Sequence, residues 1–125
     1  YLQKLLDWKK RSSHKVLELR GEGQVGKTYI LNKFAQENYK TYLHIDMVQI
    51  TGQEFLECLE RATAWEPGIS RKEQTLHEAM KLFDGRFQDS KDMSVVIDEI
   101  QDSAKVYSLI RQFAREFFCH TAVTK

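Results

Sequence analysis

The sequence predicts an α/β domain whose mostly parallel sheet is covered by helices on both faces. Three observations predict it. A glycine-rich turn, Gly21-Glu22-Gly23-Gln24-Val25-Gly26-Lys27-Thr28, lies between a short, partly alternating run with one β-branched residue and a helical pattern. A second run, Met93-Ser94-Val95-Val96-Ile97, is apolar and β-branched and ends in Asp98-Glu99, as expected of a strand buried on both faces. Elsewhere, segments of helical and strand period alternate along the chain.

Taken in order, residues 1–12 read as an amphipathic helix, inside a leading segment 1–14, with Leu2, Leu5 and Leu6 on one face. Val16-Leu17-Glu18-Leu19 reads as the strand entering the glycine-rich turn. Beyond the turn, Ile30, Leu31, Phe34 and Ala35 recur at helical spacing. Thr41-Tyr42-Leu43-His44-Ile45 alternates as a strand, which places Asp46 at its end and at the start of a loop. Thr51 with Glu54 forms a capping box ahead of Phe55, Leu56, Leu59 and Ala62, and Pro67-Gly68 ends that segment. Leu76, Ala79, Met80 and Phe83 mark another helix, closed near Asp84-Gly85. With Asp102 or Ser103 as N-cap, Val106, Leu109, Ile110, Phe113, Ala114, Phe117 and Phe118 follow the broad stripe of a helix packed on a sheet. Thr121 to Lys125 looks like a strand barely begun.

The turn at residues 21–28 is a complete G-x-x-x-x-G-K-[ST] pattern. Its glycines let backbone N–H groups approach phosphate oxygens. Lys27 would reach the β- and γ-phosphates, and the Thr28 hydroxyl would ligate Mg²⁺. A helix starting at the turn adds the positive end of its dipole to the same anion. In parallel sheets ligands bind at the carboxyl ends of strands, where Asp98 and Glu99 fall. Asp98 would hold Mg²⁺ opposite Thr28, and Glu99 would orient the water that attacks the γ-phosphate. The bland alternative is a polar strand end with Asp98 capping the next helix. Both halves of a phosphate-plus-metal site occurring in order favour the nucleotide reading.

The turn Gln24 to Thr28 and the stretch Asp98-Glu99-Ile100-Gln101 resemble a large family of bacterial and archaeal ATPases in the AAA-type branch of P-loop proteins. Leu5-Leu6-Asp7-Trp8 and Leu17-Glu18-Leu19-Arg20 fit the outline of its members, so the resemblance covers most of the chain. It implies a three-layer sandwich with a mostly parallel sheet, of which residues 1–125 would be the N-terminal part of a longer protein and an incomplete core. It also implies ATP and magnesium as ligands, and a C-terminal domain or protein partner that the nucleotide moves. In such ATPases the last strand runs on to a polar residue that senses the γ-phosphate, and a further strand pairs beside the one entering the turn. An isolated piece would then leave a hydrophobic sheet edge unpaired and would self-associate. Many relatives carry Arg at the position of Gly23, a contribution this chain lacks. ATP rather than GTP is expected because Asn32-Lys33-Phe34-Ala35 lacks the Asp of a guanine-reading motif and lies next to the phosphate turn.

With 19 basic against 18 acidic residues, net charge indicates neither nucleic acid nor membrane. Lys9-Lys10-Arg11, with His14 and Lys15 nearby, is a local basic cluster whose ordinary reading is a solvated helix end; a nucleic-acid contact is the minor alternative. No run of about 18 apolar residues suggests a membrane span. Cys58 and Cys119 lack metal-ligand spacing and read as reduced thiols in the cytoplasm. Leu76-His77-Glu78 begins like a zinc-protease motif, but Lys81 stands where the second His belongs. His14, His44 and His120 read as surface or satisfied histidines. Arg111 and Arg115 are candidates for an arginine finger, with surface ion pairing as the alternative. Three functions stay open: an ATPase, a nucleotide-dependent switch with negligible turnover, and a nucleic-acid motor.

Overall fold

Among the described residues four strands carry the fold, and the two in the middle are buried along their whole length. The computed structural model describes residues 2–10, 16–19, 24–65, 72–114 and 117–125, with the side chains of 2–4, 24–27, 63–65, 72–75 and 113 excepted. Helix α1 (Leu2–Lys10) precedes β1 (Val16–Leu19), and α2 (Gln24–Asn38) crosses to β2 (Thr41–Asp46). Helices α3 (Ile50–Trp65) and α4 (Lys72–Phe83) precede β3 (Met93–Asp98). A 3-10 turn (Ile100–Asp102) and α5 (Ala104–Phe113) lead to β4 (His120–Thr124). The sheet order is β1-β4-β3-β2, and every pairing is parallel.

Side chains alternate between the faces of a strand, so residue parity sorts the core. Odd-numbered Leu43, Ile45, Val95, Ile97 and Val123 pack with residues of α3, α4 and α5. Even-numbered Val96 and Ala122 pack with Leu5 and Trp8 of α1 and with Leu31, Phe34 and Ala35 of α2. The result is helix, sheet, helix: the predicted three-layer arrangement. Burying an aliphatic or aromatic side chain contributes roughly 1.5–3 kcal/mol, so these two clusters supply most of the drive to form the layers.

Several boundaries differ from expectation, each for a local reason. The last helix stops at Phe113 rather than continuing its stripe to Phe118, which is 58% exposed. Asp89 ends the pattern: its Oδ1 accepts from the N–H groups of Phe118 (2.7 Å) and Cys119 (2.9 Å), turning the chain into β4. Strand β4 is not barely begun; its residues pair with both β1 and β3. Ser103 is the N-cap of α5, its Oγ accepting from Val106 N at 3.2 Å. Thr51 is not an N-cap, because α3 starts one residue earlier at Ile50. Its Oγ1 instead accepts from Asp46 N (3.0 Å) and donates to Asp46 O (3.3 Å), tying the helix to the end of β2. The expected stop at Pro67-Gly68 lies outside the described residues.

That tie forces helix and strand end close together at Gly52. A Cβ there would stand 2.5 Å from Met47 Cα and 2.7 Å from Asp46 O, both backbone atoms. Replacing a helical glycine by alanine ordinarily stabilises by about 1 kcal/mol. Here overpacking against backbone reverses the sign. Gly52→Ala is expected to lower stability by roughly 1–3 kcal/mol in a denaturant melt; an unchanged or raised midpoint would contradict the packing.

Candidate functional site

Parity brings three polar side chains to one place. His44 on β2, Asp98 on β3 and Thr124 on β4 are all even-numbered, so they turn toward the α2 face near the carboxyl ends of their strands. Asp98 is 1% exposed. A carboxylate taken from water needs hydrogen-bond donors in compensation, and it has three. Its Oδ1 accepts from Thr28 Oγ1 at 3.2 Å and from Thr124 Oγ1 at 3.1 Å. Its Oδ2 pairs with His44 Nε2. Thr28 lies 70 positions before Asp98 and stands near the start of α2, so the hydrogen bond joins the helix that follows the glycine-rich turn to the end of the acidic strand.

The Thr124 hydroxyl does two jobs at once. While donating to Asp98, it accepts from the backbone N–H of Glu99 at 3.0 Å. Glu99 has φ 56° and ψ 44°, and among the described residues it alone combines a positive φ with a side chain. That left-handed conformation costs of order 1–2 kcal/mol for a residue with a Cβ, and the Thr124 hydrogen bond helps hold it. Gln101 Nε2 donates to Glu99 Oε2. Glu99 therefore marks a sharp exit from β3, and Ser103 rather than Asp98 caps the next helix.

Gly21, Glu22 and Gly23 lie outside the described residues, and of Gln24, Val25, Gly26 and Lys27 the backbone alone is described, as the first turn of α2. Thr28 and Asp98 come together and Glu99 stands beside them. Asp46 lies at the end of β2 as the register partner of Asp98, and its charge also favours protonated His44, while its Oδ1 accepts from Val48 N at 3.1 Å at the start of the loop. Arg111 is exposed on α5, its guanidinium 5.6 Å from the Tyr107 ring centre; Arg115 lies outside the described residues. Of the basic cluster, Lys9 is engaged in the fold. Its amine donates to Asn38 O at 2.6 Å, at the C-terminal end of α2, where a cation complements the helix dipole. Residues 11–15 lie outside the described residues.

Two residues of the site were not anticipated. Thr124 sits at a strand end that sequence alone left short, and His44 read as one more scattered histidine. The hydrogen bond with Asp98 raises the His44 pKa above its ordinary value, against an opposing effect of burial. His120 is satisfied as expected, with Tyr39 Oη 2.5 Å from its Nδ1. His77 lies against Phe117 and Asp89, near the opposite ends of the strands.

A family model described as AAA domain matches residues 13–124, from the approach to β1 to the end of β4. The chain belongs to the AAA domain family. Neither the curated proteins nor the solved structures include a match to it. Family membership and the all-parallel sheet agree with the fold predicted from sequence, and they point to nucleotide binding of the ATPase kind. Among the described residues, no helix of this AAA domain is long and apolar enough to cross a membrane.

Thr124→Val keeps the side-chain shape but removes both hydrogen bonds of the hydroxyl. The buried Glu99–Asp98 junction should then lose roughly 1–3 kcal/mol of stability, and Thr124→Ser should retain most of it. Equal melting temperatures for Val and the wild type would show that the hydroxyl holds nothing.

Proposed function

We propose that this AAA domain binds Mg·ATP and hydrolyses it to ADP and phosphate, coupling the cycle to a conformational change in a further region or a partner. The observation that carries the reading is the Thr28–Asp98 hydrogen bond, in which a motif hydroxyl and a strand-end carboxylate meet across 70 positions. Residues Gly21 to Thr28 act as the Walker A loop, with backbone N–H groups and the Lys27 amine on the phosphates. Thr28 and Asp98 offer hard oxygen donors, a chemistry that suits Mg²⁺ better than softer metals. Among the described residues no group of three or more His, Cys, Asp or Glu gathers to cage an ion. Magnesium of this kind keeps water and phosphate as its other ligands. When bound, the metal would neutralise charge on the phosphate oxygens. Glu99 accepts a hydrogen bond from water and aligns it with the γ-phosphorus. The water oxygen bonds to phosphorus as the bond to the bridging oxygen breaks; the water's proton passes by way of Glu99 to the phosphate product, and ADP leaves.

A second reading, a switch with negligible turnover, is favoured by one contact. Gln101 donates to Glu99 Oε2, so one oxygen of the carboxylate already has a donor from a neighbour. Steady-state turnover separates the two readings, and Gln101→Ala should raise it if the amide restrains Glu99. Among the described residues no comparable contact favours a nucleic-acid motor, and Lys9 of the basic cluster is committed to α2.

Lys27→Ala is expected to abolish ATP binding, measured by calorimetry, because it removes the fixed cation on the phosphates. Glu99→Gln should bind ATP like the wild type while hydrolysis falls at least about 100-fold, as for loss of a general base. Unchanged ATP affinity in the Lys27 variant would contradict the site.

A further inference from the structure

The Asp98 carboxylate has its two oxygens held from opposite sides. Thr28 and Thr124 donate to Oδ1, and His44 holds Oδ2. A carboxylate oxygen accepts, so His44 Nε2 carries the hydrogen. His44 belongs to β2, whose register sets it beside Val96, two residues before Asp98 on β3. It reaches Asp98 along the sheet face that α2 covers. Without it, the buried Oδ2 loses the donor that fixes the plane of the carboxylate.

We propose that His44 is a positioning residue for the metal arm of the site, locking the Asp98 carboxylate so that Oδ1 faces Thr28. This rests on the nucleotide–metal reading above. His44 acts through Asp98. Its loss should therefore weaken the part of nucleotide affinity that depends on Mg²⁺ and spare the part that the glycine-rich turn supplies alone. A neutral N–H donor of similar reach should suffice, which makes glutamine the conservative replacement.

The test is calorimetric affinity for a non-hydrolysable ATP analogue, with Mg²⁺ and with EDTA, in the wild type, His44→Leu and His44→Gln. The Mg²⁺-dependent gain should fall about tenfold in His44→Leu, the loss of one charge-assisted hydrogen bond. Affinity in EDTA should stay within about twofold of the wild type, and His44→Gln should recover most of the gain. A full Mg²⁺ gain in His44→Leu, or an equal loss under both conditions, would overturn the proposal. A wild type that binds no analogue under either condition would overturn the parent reading and this one with it. Imidazole ¹⁵N spectra of the wild type keep the test sharp should His44→Leu fail to fold. Adding Mg²⁺ to the analogue-bound protein should shift the His44 Nε2 signal, and an unmoved signal would refute the coupling.

Discussion

A carboxylate buried in a protein is tolerated only when donors replace the water it gave up, and this domain meets that condition at Asp98 with hydroxyls and an imidazole from three separate elements. The demand reaches outward. It fixes how far β2 and β4 extend beside β3, because His44 and Thr124 must both reach the same side chain. It also sets where α2 begins relative to the sheet, because Thr28 must reach Oδ1. A slip of one residue in any of these strands would turn the donor to the opposite face and leave the charge unpaired. Register, helix placement and the chemistry of the site are thus one constraint seen at three scales.

The arrangement also explains the bent exit from β3. The hydroxyl that donates to Asp98 accepts from Glu99, so the left-handed backbone of Glu99 and the buried carboxylate lean on the same oxygen of Thr124. Strand β4 lies between β1 and β3, which puts Thr124 between the strand that enters the glycine-rich turn and the strand that carries the acids. Any event that moved the end of β4 would be felt at Asp98 and Glu99 together. On the reading proposed above, that is a direct mechanical link between phosphate chemistry and the sheet.

Much of this was legible in the residues because local and global signals agree. The β-branched run before Asp98 and the apolar–polar alternation of Thr41 to Ile45 name their strands within a residue of the observed ends. The helical spacing of Leu31, Phe34 and Ala35 names the face that meets the sheet. The misses share a physical cause, which is long-range pairing. Nothing near Phe118 announces that Asp89, distant in sequence, captures its N–H and ends the helical path. Nothing near His44 says that β3 will lie beside it with Asp98 on the same face; that follows only from strand order, which one chain's periodicity does not encode. The role of Thr124 is hidden in the sequence for the same reason, since its partners lie at the end of β3. Thr51 misled because its hydroxyl serves equally as a cap or as a tie to the preceding strand, and the close approach at Gly52 decides for the tie.

On the proposed reading the start of α2 and the end of β3 face a single triphosphate–metal pocket. A crystal structure of the domain grown with a non-hydrolysable ATP analogue and Mn²⁺ tests it most directly, since the manganese is located by its anomalous signal. The account predicts phosphates at the N-terminal turn of α2 and one ion beside the Thr28 hydroxyl, within a water's reach of Asp98. An ion and nucleotide bound elsewhere, with the Thr28–Asp98 contact undisturbed, would contradict it.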